Sequence, residues 1–477
     1  VLVMDASSEA EHGGGCSAGD EENLKDAEST LDKVSFRPTP LINPNDLNDR
    51  IEQGTNALKD MLIAHEITMN GDFRIQERPI PTNGLERVIT DTIKRAFWDI
   101  LRSELEMNPP RYDQALTLLE DVKIGLSNAV LPHQTKLIQN INEVLDSDVI
   151  RQQAEAGVLD FKAYAEYVLN MMLKLCASAR DERIEKLQQC TDVVETFKGI
   201  LETLDLMKLD LANTSLQLAR TDIILHSIQY EKDKFNVYVK SREGLEDCLR
   251  YTKVWLKRHI GTPENLKTKE QVLTSAYLEL LEWPNEESFP ETMIFDKARI
   301  FELGGRVIRL ITSATIYTLG SNQVAAVREV ASLMQLLQSN ISTLMASVQK
   351  NEDFVEILPN LILQIIKDIK VTLAAHGHPD LSSEEENAIK ARLEQTANPT
   401  HNVRVILKQR LMEYIRLCLD SARGPIGLDI PPGWQIWKND LTNLAARFAR
   451  LTIHNRGVFS EHYINIIEEA QKSIQMN

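Results

Sequence analysis

The sequence offers no catalytic signature around which to organise it. Gly13-Gly14-Gly15 lies in a polar stretch with no strand before it and no helix after it. Gly304-Gly305 sits inside a helical pattern with no Lys-Ser/Thr following, so neither run makes a phosphate-cradling loop. The metalloprotease pattern H-E-x-x-H is absent too. Aromatic residues are scarce at 6%. Cysteines are few, odd in number and scattered (Cys16, Cys176, Cys190, Cys248, Cys418), which argues against a disulfide framework and for a reducing, intracellular setting. The two most apolar windows are broken by Arg306 and Arg309, and by Lys367, Asp368 and Lys370. Neither reaches the ~20 apolar residues of a membrane span, so no membrane insertion is expected. No basic stretch followed by an apolar one opens the chain, so no secretory leader is read. Period-two alternation, a βαβ rhythm and a repeat of fixed length are all missing, which excludes a sheet-based fold and a regular solenoid. Basic excess is missing as well. A net charge of −17 makes a nucleic-acid backbone or an anionic membrane surface a poor partner.

What is present is length and helical spacing. The chain has 477 residues, 43% of them hydrophobic, enough for a large core. Up to Lys33 nine acids stand against two lysines, so about −7 of the −17 sits there among few large apolar residues. Residues 1–45 are therefore expected to be a disordered acidic tail. From Asp46 to about Met69 the spacing is helical. Leu85, Ile89, Ile93, Phe97, Ile100 and Leu101 trace one face of a second helix, ended by Pro109-Pro110. Further helices run to stops at Pro132 and Gly157. Asp160 is the expected cap of a helix carrying Phe161, Tyr164, Val168, Met171, Met172 and Leu175. Thr191 is the expected cap of a longer one through Phe197, Ile200, Leu204, Met207 and Leu218, and Ser241 begins another. The segment 257–270, rich in Gly, Pro and charge, is the best candidate linker, with a capping box in Thr268-x-x-Gln271. Helices continue to the C-terminus, one opened by Ser383-x-x-Glu386. The expected fold is all-α: a multi-helix antiparallel bundle over 46–477, elongated into two helical lobes that divide near 257–270.

Candidate interaction residues are charged positions on this scaffold. Ser178 and Asp181 can cap a helix start, with Glu182 favouring its dipole. Arg180 is then left to pair with a carboxylate or a partner. Lys253, Lys257, Arg258, His259, Lys267 and Lys269 form the one notable basic cluster, which is more often a solvated face than a site. Arg180, Asp181, Glu182, Glu231, Lys232, Lys257 and Arg258 are the positions assigned to protein contacts. No catalytic, cofactor-binding or metal-ligating set is read. A breaker-rich turn accounts for His376 and His378, with His401 downstream, more cheaply than a metal does.

Several stretches taken in order resemble the T-complex protein 11 family. They are LIAHEITMNGDFRI (Leu62 to Ile75), RAFWDIL, NPPRYDQALTLLEDVK, VLDSDVIRQQAEAG, YVLNMMLKLCASARDERIEKL, DLMKLDLAN, SIQYEKDKF (Ser227 to Phe235), FPETMIFDKARI (Phe289 to Ile300) and FARLTIHNRGVFSEHY (Phe448 to Tyr463). The family's proline before R-D-E is Ala179 here. The resemblance implies an intracellular, helical, non-enzymatic protein without cofactors, associated with cAMP and protein kinase A signalling, sperm motility and flagellar or ciliary structures. Its partners are then other proteins, and its location is cytoplasmic or ciliary. Two roles follow as expectations: a signalling adaptor, or a structural component of an axoneme or microtubule-associated complex docked through the basic cluster near Lys257 or through an apolar helix face.

Overall fold

The computed structural model describes residues 44–76, 84–131, 133–243, 247–284, 287–327, 330–421 and 424–476. The acidic tail expected over 1–45 lies outside them except for its last two residues, which open the first helix, α1 (Pro44–Met69). Proline suits that place, because the first helical N–H has no intrahelical acceptor to lose. The fold is all-α as expected, with one two-residue hairpin among the described residues. No helix there is long and apolar enough to cross a membrane.

From Gly54 onward the chain is one compact unit built around two hydrophobic cores. The first core collects α2 (Gly84–Glu106), α3 (Asp113–Asn128), α4 (Thr135–Val144), α5 (Ser147–Glu155), α6 (Phe161–Leu175), α7 (Asp181–Gln188) and the first half of the 50-residue α8 (Val193–Arg242). At its centre Phe161 stacks on Phe197, ring centroids 4.3 Å apart, beside the buried Val168, Met172, Ile200 and Leu204. The expected stripe of α6 is thus core, and Asp160 caps that helix through Ala163 N at 3.0 Å.

The second core takes in Met61 of α1, Phe235 at the far end of α8, α9 (Arg250–Lys257), α10 (Lys269–Leu280), α11 (Lys297–Ser321), α12 (Ala331–Leu344), α13 (Asn351–Ala375), α14 (Ser383–Glu394), α15 (Asn402–Asp420) and α16 (Lys438–Met476). The segment 257–270 does not divide the packing. Trp255 and Leu256 before it and Ile260 within it share a core with Val272 and Leu273 after it, and the Trp255 indole donates to Ala276 O at 3.0 Å. Between them Gly261–Thr262 pairs with Asn265–Leu266 as a hairpin, and Thr268 with Gln271 forms the expected capping box. The two cores part along α8 instead, where no residue between Met207 and Ser227 is buried.

Three local expectations shift. Asp192 rather than Thr191 caps α8, accepting from Val194 N and Glu195 N, because its backbone is extended while that of the next residue is helical. Ser382 with Glu385, one residue earlier than expected, makes the capping box of α14. Ser241 starts no helix; its hydroxyl donates to Tyr238 O and α8 runs on past it.

Candidate functional site

Four elements meet at a buried cluster of charged side chains where α1, α8, α16 and the 3-10 turn Glu291–Asp296 pack together. His65 of α1 lies between two carboxylates, with Nδ1 3.0 Å from Glu231 Oε2 and Nε2 3.0 Å from Asp296 Oδ1. Nε2 of His454, on α16, lies 2.8 Å from the other Glu231 oxygen. All four residues are buried, Glu231 with 1% of its surface exposed. An acidic group so placed needs partners on both oxygens, since an unpaired buried charge is costly. Burial by itself would pull the His65 imidazolium down. The hydrogen bonds and charges of Asp296 and Glu231 outweigh it, so the pKa rises to about 9. Burial pushes Glu231 up, and the two histidines more than reverse that, holding it below the ordinary glutamate value. Around this centre Arg299 bridges Asp296 at 3.1 Å and Glu66 at 2.6 Å.

A second set of buried polar groups adjoins it. The Tyr277 hydroxyl donates to Asn455 Oδ1 at 2.9 Å. The Tyr463 hydroxyl lies 2.7 Å from the same oxygen and 2.8 Å from Thr292 Oγ1, and Asn455 Nδ2 donates to Thr292 O at 2.6 Å. Burial drives both phenols well above their ordinary range, so they act as neutral hydrogen-bonding groups. At the C-terminus of α1 the carbonyls that the helix leaves unsatisfied are taken by two arginines. Arg220 donates to Ile67 O and Asn70 O, and Arg450 to Thr68 O at 2.7 Å.

The charged positions expected to meet partners are mostly engaged within the chain. Arg180 grips Asp210 of α8 with two bonds of 2.9 and 3.0 Å. Asp181 accepts from the Cys176 thiol at 3.1 Å, and neither it nor Ser178 caps the start of α7. Glu182 pairs with Lys186 one turn on and is exposed. Glu231, expected on the surface, is interior, because it supplies the negative charge between two buried histidines. Lys232 reaches Glu461 at 2.5 Å. Lys257 is exposed in the last turn of α9. Arg258 bonds Glu279 and Glu287 at 2.9 and 2.7 Å and lies over the Trp283 ring. The basic cluster is largely neutralised, with Lys253 on Asp247, His259 on Glu279 and Lys269 on Glu468. Sequence reasoning missed His65, Asp296 and His454 as a group, since 166 to 231 residues separate the bonded pairs. The available signal was that each falls inside one of the family-like stretches.

Among the concave surfaces outside the cluster, two are lined mainly by apolar side chains. A cleft of about 660 Å³ is lined by Trp283, Ile300, Phe301 and Ile311, and its Lys408 is already paired with Glu282 at 2.5 Å. A groove of about 480 Å³ runs between α1 and α8, formed by Ile63, Ile67, Ile223 and Tyr230 with Asp60 and Asp222. Beside it the middle of α8 presents Leu218 and Leu225 to solvent, 80% and 75% exposed, with Ile224 and Ile228 also exposed. Four large aliphatic side chains are thus exposed along this stretch of helix.

Residues 63–468 match the family model described as T-complex protein 11. The T-complex protein 11 homolog of Homo sapiens is 30% identical over 469 residues, covering 90% of this chain and 89% of the relative. The human T-complex protein 11-like X-linked protein 1 is 29% identical, with 89% of each chain covered. T-complex protein 11 of Mus musculus is 28% identical, covering 83% of this chain and 74% of the relative. No solved structure matches the chain.

Proposed function

The chain belongs to the T-complex protein 11 family, and on that premise we propose that it is a non-enzymatic adaptor acting through protein–protein contacts in cAMP and protein kinase A signalling of sperm or ciliated cells. The observation that carries this reading is the uncovered middle of α8. A helix bridging two cores would ordinarily be polar on its open faces, whereas this one exposes Leu218, Ile224, Leu225 and Ile228 beside an apolar groove. Asp222 on the groove wall, beside an Asp60 already paired with Lys234, suits an amphipathic partner helix with an apolar face and a basic flank, the helix-in-groove mode of recognition. The titratable groups of the interior are tied to one another, which supports a structural use for them over acid–base chemistry. For the axonemal alternative the basic cluster has less to offer, since most of its charges are spent on Asp247, Glu279, Glu287 and Glu468, which leaves an apolar helix face as its docking surface.

The test is affinity capture from testis or ciliated-cell lysate with the full chain and with a Leu218→Glu/Leu225→Glu variant, followed by mass spectrometry. Both positions are exposed, so the variant should fold unchanged by circular dichroism. A kinase, regulatory subunit or anchoring protein retained by the parent and lost from the variant is the expected result. Recovery of the same proteins by both, or of no signalling protein by either, overturns the proposal.

A further inference from the structure

We propose that His65, Glu231 and His454 form a binding site for one divalent transition-metal ion of the Zn²⁺ class. Two imidazoles and a carboxylate are a donor set that Zn²⁺ takes readily. Their ligand atoms all lie within 4.8 Å of one another, and all three residues are buried. Each comes from a different helix, α1, α8 and α16, so an ion there would pin elements that meet only in the folded chain. The surroundings match what such a site needs. Asp296 accepts from the far ring nitrogen of His65, fixing the tautomer that turns Nδ1 toward Glu231, and Arg299 in turn holds Asp296. A ligating histidine is commonly oriented by a carboxylate in this way.

The charge count points in the same direction. Glu231, Asp296 and Glu66 bring three carboxylates into contact with one arginine, Arg299, which leaves room for further positive charge. A divalent ion supplies it. The spacing allows entry with small movement. Donors about 2.0–2.1 Å from a tetrahedral ion stand about 3.3 Å apart, against 2.8 and 3.0 Å between the nitrogens and the Glu231 oxygens now. The ion replaces the proton between His65 and Glu231, and water completes the coordination. Ala64, Ile67, Ser227 and Tyr230, neighbours of His65 and Glu231 on the same helices, line the apolar groove. Occupancy would therefore stiffen that groove.

The experiment uses the full chain without an oligohistidine tag, purified without chelator, and measures bound metal by mass spectrometry, then stripped protein titrated with Zn²⁺ and with Co²⁺. About one equivalent of metal, a rise in melting temperature with Zn²⁺ and the visible bands of four-coordinate Co²⁺ are expected. His454→Ala and Glu231→Gln should lose these signals, while His376→Ala/His378→Ala keeps them. If the two site variants do not fold, the Co²⁺ bands of the parent decide, since octahedral Co²⁺ lacks them. Metal retained by folded His454→Ala and Glu231→Gln overturns the assignment. So does a parent chain that carries no metal, shows no Zn²⁺ shift and gives no Co²⁺ bands, leaving the cluster to be held by protons alone.

Discussion

Two adjacent glycines in α11 give opposite answers to the same substitution. A Cβ added at Gly304 would stand 2.7 Å from the backbone oxygen of Leu281, whereas one at Gly305 would stand 2.0 Å from Oε1 of Gln349. The shorter overlap is the cheaper one. Gln349 is exposed, and its amide end can swing into water, after which the nearest fixed atom is its own Cα at 3.4 Å. The Leu281 carbonyl cannot swing. It belongs to the C-cap of α10, and Leu281 and Trp283 beside it are buried in the second core, so α10 and α11 must separate by about half an ångström to clear the contact. Either alanine gains about 1 kcal/mol of helix propensity over glycine. Overpacking against fixed atoms costs about 1–3 kcal/mol. Gly305→Ala should therefore match or exceed the parent, and Gly304→Ala should fall about 1–3 kcal/mol below Gly305→Ala. Urea unfolding followed by tryptophan fluorescence reads the correct region, because Trp255, Trp283, Trp434 and Trp437 are all buried in the second core. A Gly304→Ala chain as stable as Gly305→Ala would refute the argument that the two helices touch through backbone here.

Other expectations follow from named contacts. Glu231→Gln leaves two buried histidines without their shared charge, and unfolding in urea should show a loss of about 3–5 kcal/mol. Arg180→Ala releases the bidentate hold of the α7 start on Asp210. For this half-exposed pair a coupling of about 1 kcal/mol, shrinking with added salt, should appear in a double-mutant cycle with Asp210→Ala. Burial and the neighbouring Asp181 carboxylate push the Cys176 thiol up to about 11, so at mildly alkaline pH it should alkylate slowly. Asp181→Asn should speed that reaction, and an unchanged rate would remove Asp181 from the explanation.

The helices were legible where one face carries the whole signal. The stripe from Phe161 to Leu175 and the caps at Asp160 and Thr268 stand as read, because apolar spacing and a local side-chain acceptor suffice to specify them. The one-residue shifts at Asp192 and Ser382 arise where two neighbouring polar residues could each cap and only backbone geometry selects between them. Spacing misleads on α2. Ile89, Ile93 and Ile100 continue the stripe that buries Leu101, yet they stand in solvent, because periodicity says which residues share a face and not whether anything covers it. The lobe division was misplaced for a related reason. Gly261 and Pro263 mark a turn, and a turn inside one core looks the same in sequence as a hinge between two. The His65 cluster was invisible because no local rule links residues so far apart in the chain.

The family-like stretches turn out to bond chiefly to one another. His65 from LIAHEITMNGDFRI, Glu231 from SIQYEKDKF, Asp296 from FPETMIFDKARI and His454 from FARLTIHNRGVFSEHY share one buried network. Arg180 from the S-A-R-D-E-R run holds Asp210 of DLMKLDLAN, and Asn213 of the same stretch bonds both the N–H and the carbonyl of Ile75. A buried polar group tolerates few replacements, since losing its partner costs a desolvated charge or hydrogen bond. Sequence stretches rich in such groups are therefore the ones that identify a family, and they do so by specifying how its helices pack. The surface proposed for partners is elsewhere, on the apolar middle of α8, where Leu218 and Leu225 are largely exposed. Substitutions in the network should then act first on folding, and substitutions on α8 first on binding. Comparing Glu231→Gln with Leu218→Glu in one unfolding and one capture assay tests that division. An α8 variant that unfolds, or a network variant that folds normally and loses partners, would contradict it.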